Sequence, residues 1–99
     1  MSVCIVGWGH TKFGKLEGQG LEALLVAAAN DALSGAELTS DDIDIIIVAT
    51  TTPDDTFPST ASTVQHKLGS YQAFAFDIQA VCAGFIYALN VGSSLLKTS

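Results

Sequence analysis

Residues 43–49 read Ile-Asp-Ile-Ile-Ile-Val-Ala, an almost unbroken β-branched run that limits the fold more than any other stretch. A strand with one wet face alternates apolar and polar residues, whereas continuous apolar character indicates cover on both faces, as in a parallel sheet. Residues 73–78, Ala-Phe-Ala-Phe-Asp-Ile, repeat the pattern with Asp77 as the interruption. A carboxylate at the end of a buried strand is read as bonding backbone groups of the following turn, in preference to acting as a general base. Residues 2–6, with Val3, Ile5 and Val6 closed by Gly7 and Gly9, predict a further buried strand in which Cys4 is a small inert hydrophobe.

Helical patterns separate these runs. Leu21, Leu24, Leu25, Ala28 and Ala32 recur at helical spacing over residues 21–33, with Gly35 as a C-terminal stop. Pro58 suits the first turn of a helix over residues 59–68 that Gly69 ends, and His66 falls late in it. A last helix runs from about Ala83 to Lys97, where Phe85, Tyr87, Ala88, Leu89, Val91, Leu95 and Leu96 make an apolar face wider than a surface helix requires. With right-handed crossovers, the order predicts an α/β fold, βαβαβα, with helices packed on a three-stranded parallel sheet. The loops after Val6, Ala49 and Ile78 then emerge on its carboxyl edge, where such sheets bind ligands.

The chain's 99 residues fit one domain, residues 1–99. Hydrophobic residues make up 48% and charged ones 14%, so some apolar surface expects a partner. A net charge of −6, with four Lys or Arg and no basic cluster, argues against nucleic acid and anionic membrane. The absence of a membrane-length apolar run or a leader pattern predicts a cytoplasmic protein. Cys4 and Cys82 form no CxxC pair, so neither a disulfide nor zinc is signalled. Asp54-Asp55 reads as a solvated turn, and no metal is expected. Gly7-Trp8-Gly9 lacks the third glycine of a dinucleotide fingerprint. In the loop over residues 10–20, His10, Lys12 and Lys15 read as solvated, although the lysines would also suit a phosphate-bearing ligand.

Chemistry concentrates at Cys82, on a small-residue turn between the strand over residues 73–78 and the last helix. A thiol at a helix start faces unpaired N–H groups and the positive end of the helix dipole, both of which favour the nucleophilic thiolate. Ala83 and Gly84 leave that turn uncrowded.

The string Ala75-Phe76-Asp77-Ile78-Gln79-Ala80-Val81-Cys82-Ala83-Gly84-Phe85 closely resembles the active-site segment of the β-ketoacyl-acyl carrier protein synthase III family. Val48-Ala49-Thr50-Thr51-Thr52-Pro53 and Phe57-Pro58-Ser59-Thr60-Ala61 resemble the segment preceding it, so the likeness spans residues 43–99. Residues 3–48, with Gly7-Trp8-Gly9-His10-Thr11-Lys12-Phe13-Gly14, look more like the acetyl-CoA acetyltransferase or sterol-carrier thiolase branch of the same thiolase superfamily. The resemblance implies the N-terminal part of a thiolase-like fold. It also implies a Claisen condensation of fatty-acid initiation, in which Cys82 takes an acyl group from acyl-CoA and malonyl-acyl carrier protein supplies the attacking carbanion. Acyl-CoA is then a substrate and no cofactor is required. Phe57 matches a substrate-binding position that lines the partner's acyl pocket across the family's dimer, which implies a homodimer; Ala83 and Gly84 match residues beside the nucleophile.

Two departures qualify these implications. The family holds the CoA nucleotide with a longer Trp- and Arg-bearing segment, where residues 9–20 are short and lack Arg. Its catalytic His and Asn belong to a C-terminal half, so the chain alone is expected to be inactive in condensation. The alternative is an engineered or chimeric α/β module without catalytic activity.

Overall fold

The computed structural model describes residues 3–11, 20–50, 59–80 and 83–98. Three α-helices occur among them, α1 (Leu21–Gly35), α2 (Thr60–Leu68) and α3 (Gly84–Thr98), with a 3₁₀ turn at Ser40–Asp42. Two strands, β1 (Ile45–Ala49) and β2 (Phe74–Ile78), pair in parallel with Ile45 opposite Phe74 and Ala49 opposite Ile78. Their β-branched and aromatic residues suit a pleated, covered surface.

This sheet corrects the expected βαβαβα arrangement: among the described residues it has two strands. Residues 3–10 have no regular structure, and Cys4 is exposed, with Ile5 at 79% and Val6 at 69%. The segment is carried onto α1. A Cβ built on Gly7 would lie 2.6 Å from the Ala32 carbonyl oxygen, and one on Gly9 would lie 2.4 Å from that of Ala28. Only glycine lets the backbone pass so close to a helix. A short apolar run contains no information about its pairing partner, and here packing on the helix replaces a ladder.

The helix termini follow local chemistry. At the end of α2, Gly69 has φ +79, and the amides of Gly69 and Ser70 donate to the carbonyls of His66 and Gln65 at 3.2 Å each. This is a Schellman motif with glycine in the left-handed position. The end of α1 has the same pattern, Glu37 to Ser34 at 3.1 Å and Leu38 to Leu33 at 2.9 Å, but the left-handed residue is Glu37, φ 59. The expected stop, Gly35, lies inside the helix. Glu37→Gly is therefore expected to stabilise the chain by up to about 1 kcal/mol, since left-handed backbone costs a side-chain-bearing residue about 1–2 kcal/mol and glycine's chain entropy returns part of that. A urea melt checks it, and a lowered midpoint would show that the Glu37 side chain compensates.

Little of this architecture is fully enclosed. Val48, Ala61, Val64 and Ala73 are the buried apolar residues among those described. Accessible surface totals 6879 Å², against the roughly 5400 Å² expected of a folded monomer of this mass. The double cover expected of the strands is thus partial. On α3, Phe85 is 65% exposed, Ile86 58% and Tyr87 52%. No helix among the described residues is long and apolar enough to cross a membrane.

Candidate functional site

Parallel pairing sends both strands out at the same edge. The amide of Thr50 donates to the Ile78 carbonyl at 3.3 Å, extending the ladder one step beyond β1. The last paired residues of the two strands, Ala49 and Ile78, therefore lie side by side at the carboxyl edge, and residues 51–58 and 79–82 follow them in sequence. Phe57 and Cys82 fall outside the described residues, as do Lys12, Lys15, Asp54 and Asp55.

Residues flanking Cys82 are closely held. The Ala83 amide donates to the Ala80 carbonyl at 3.0 Å, and Gly84 opens α3 in a buried position. A Cβ on Gly84 would lie 3.3 Å from that of Ala49, so the helix starts directly against the end of β1. Gly92 repeats the approach two turns on, 3.3 Å from Ile47 Cδ1 by the same construction. Small residues on this side of α3 seat it on the sheet while its larger ones are left outside. A groove of about 740 Å³ runs between α1, β1 and α3, lined by Leu25, Ile45, Ile47, Phe85, Leu89 and Leu96 among others, and reaches Ala49 and Gly84.

Asp77 provides the main polar organisation at this edge. Its Oδ2 accepts the Thr60 amide at 2.9 Å and its Oδ1 accepts the Ala61 amide at 2.8 Å. The expected structural use of Asp77 thus takes a different form, since these bonds go to the start of α2, sixteen and seventeen residues earlier. Anionic oxygens on the first amides of a helix make charge-assisted bonds and complement its dipole. Ser59 independently caps α2, its Oγ accepting the Ser62 amide at 3.2 Å. Thr60 is 1% exposed, and its Oγ1 is buried without a hydrogen-bond partner. Sequence reasoning missed this tie because its partners are distant; the available signal was an acid ending one strand and a Ser-Thr helix start following the other.

Gln65 braces the opposite end of α2, donating from its side-chain amide to the carbonyls of Ser70, at 3.1 Å, and Ala73. Ser70 Oγ donates to the Ser40 carbonyl at 2.9 Å. His66, exposed, meets Tyr71 edge to face at 6.1 Å between ring centroids, away from the carboxyl edge. His10 stacks on Trp8 at 5.6 Å. Neither ring is placed beside Asp77 by these contacts.

No family model matches the chain. It is 55% identical over 83 residues to the β-ketoacyl-[acyl-carrier-protein] synthase III of Wolbachia pipientis wMel, covering 84% of this chain and 26% of that protein. The synthase III of Clostridium perfringens strain 13 is 57% identical over 75 residues, covering 76% of this chain and 23% of its own length. The crystal structure of 3-oxoacyl-[acyl-carrier-protein] synthase III from Aquifex aeolicus VF5 superimposes with a TM-score of 0.80 at 43% identity, over 83% of this chain and 27% of that one. The chain therefore spans about a quarter of the length of the relatives it matches. A match of 83 residues is longer than residues 43–99, so the likeness extends back into the first part of the chain. The chain is homologous, over this partial stretch, to thiolase-superfamily condensing enzymes of the synthase III type, an acyltransferase family of fatty-acid biosynthesis.

Proposed function

We propose, with that homology as the premise, that this chain carries the acyl-accepting segment of a condensing enzyme and that Cys82 is its nucleophile. The observation that carries the reading is the agreement between the match and the sheet: the two motif-bearing segments leave adjacent strands at the carboxyl edge. Phe57 belongs to one and Cys82 to the other, with Ala83 and Gly84 immediately after the thiol. In this reading residues 1–99 form one unit of a thiolase-like fold.

The chemistry is thioester exchange. Cys82 Sγ, as thiolate, attacks the thioester carbonyl of an acyl-CoA; the new carbon–sulfur bond forms, the bond to the CoA sulfur breaks, and CoA leaves as a thiolate that takes up the proton Cys82 released. Backbone N–H groups at the helix start are the natural donors to the intermediate oxyanion. Thioester exchange needs no metal or redox cofactor. Condensation with malonyl-acyl carrier protein, the reaction the family resemblance implies, additionally requires groups to stabilise the carbanion formed as carbon dioxide is lost. The activity proposed for the chain alone is therefore self-acylation, with acyl-CoA and acyl carrier protein as the substrates and a second copy as the partner of the wider family reaction.

Intact-mass measurement after incubation with acetyl-CoA tests this directly. One added acetyl group is expected on the wild-type chain, located by peptide mapping to Cys82, with none on Cys82→Ala. Equal labelling of the two chains, or no label on either, would sink the reading in favour of an inert α/β module.

A further inference from the structure

We infer that the outer edge of β1 accepts residues 3–6 of a second copy of this chain as an added strand, independently of any chemistry at Cys82. The Phe74 amide donates to the Asp44 carbonyl at 3.1 Å, and the Thr50 amide to the Ile78 carbonyl at 3.3 Å. With Ile45 opposite Phe74 and Ala49 opposite Ile78, the alternation of a parallel ladder assigns residues 44, 46, 48 and 50 to the bonds with β2. The N–H and C=O groups of Ile45, Ile47 and Ala49 therefore point the other way. Among the described residues no strand pairs with β1 on that side. An unpaired row of this kind is a template for another strand.

Space exists for both faces of such a strand. The groove of about 740 Å³ between α1, β1 and α3, and a second of about 310 Å³ between α1, β1 and α2, both have Leu25, Ile45 and Ile47 in their walls. Alternate side chains of an added strand enter one groove or the other.

Residues 3–6, Val-Cys-Ile-Val, match what the edge requires: they are largely β-branched, exposed at every position and without regular structure. In their own chain they are held away from it. Gly9 passes the Ala28 carbonyl and Gly7 that of Ala32, with Ala36 Cβ 3.0 Å from a Cβ built on Gly7, so the path follows α1 toward its C-terminal end. Ile5 and Val6 remain 79% and 69% exposed, far more than a place in either groove would leave them. Four extended residues reach about 13 Å, most of the length of the five-residue β1. Each copy thus offers one arm and one edge, and two copies can exchange arms reciprocally about a two-fold axis. The accessible surface exceeds that of a folded monomer of this mass by roughly 1500 Å², enough for the about 800 Å² per partner that a stable interface buries.

The test places a benzophenone photocrosslinker on the exposed Cys4 of Cys82→Ala chains, mixes isotopically heavy and light copies, and maps the products by mass spectrometry. Two variants are compared in that background. Ile5→Lys with Val6→Lys alters two exposed side chains that an extended segment sends to opposite faces, so a lysine meets each groove. Ile45→Pro removes one outward amide at the first residue of β1, a position proline tolerates, and leaves the bonds from residues 44 and 46 to β2 in place.

Heavy-to-light crosslinks from Cys4 to β1 are expected in the parent chain, and their yield should fall about tenfold in either variant, the effect of losing one or two main-chain bonds. Mixing the two variants should restore crosslinks in one direction only, from Cys4 of the Ile45→Pro chain to β1 of the lysine variant. Crosslinks to β1 confined to single chains overturn the inference, since the chain's own arm would then fill the edge. So do heavy-to-light crosslinks that reach α3 and not β1, the absence of any between chains, or an unchanged yield in the lysine variant. If Ile45→Pro fails to fold, the lysine variant decides.

Discussion

Asp77→Ala is expected to destabilise the chain by about 3 kcal/mol, since hydrogen bonds to a charged group contribute about 1.5–3 kcal/mol each and two helix amides lose their acceptor. Both bonds are short, part-buried and span elements distant in sequence. Alanine offers no replacement acceptor, and Val48, opposite Asp77 in the ladder, is 5% exposed and leaves little room for water on that side. Ser59 retains its own bond to Ser62, so α2 should persist as a helix while losing its attachment to β2. Against a typical domain stability of about 5–15 kcal/mol the loss is large, and for a domain of this size it corresponds to a fall in Tm of about 15 °C. Thermal and urea melts monitored by circular dichroism measure it, with exposed Asp31→Ala as the control. A change no greater than the control's would mean that the bonds are not held in solution.

How much of this was legible depended on the range of the interaction concerned. Pro58 pointed to a start of α2 with Ser59 inside the helix, whereas Ser59 is the cap of a helix that opens at Thr60. The end of α2 was readable because the Gly69 turn acts within one helical turn of its own residues. The end of α1 was misread from the same kind of signal: Gly35 was the local candidate, but the closing bonds put the left-handed turn at Glu37. The β1 and β2 runs were legible as strands because few other conformations suit four or five consecutive apolar residues that are largely β-branched or aromatic. The third strand failed for want of partner information, and the path of Gly7 and Gly9 over α1 depends on close approaches to Ala32 and Ala28, far along the chain. The candidate site shows the same division. A thiol before a helix could be recognised from adjacent residues, whereas the carboxylate that ties its strand to α2 could be understood only once Thr60 and Ala61 were in place.

The surface of α3 leads to the second large expected effect. Ordinary surface helices present one polar face, but Lys97 is the sole charged residue among the fifteen of α3. Its packed side consists of small residues, Gly84 and Gly92 being in near contact with β1, while Phe85 and Leu89 remain 65% and 43% exposed. Contiguous exposed apolar surface of this kind drives association in water. The wild-type chain is therefore expected to self-associate as its concentration rises and to enhance the fluorescence of an apolar dye. The double substitution Phe85→Glu and Leu89→Lys should remove most of both effects, because it places an acid four residues before a base on the same helix face. Its cost in stability should be about 1 kcal/mol, as both side chains are only partly buried in the groove beside Leu25. Sedimentation across a dilution series distinguishes the outcomes. A wild-type chain that stays monomeric at its highest soluble concentration, without dye enhancement, would show that this face is covered in solution by an arrangement of the chain's own residues.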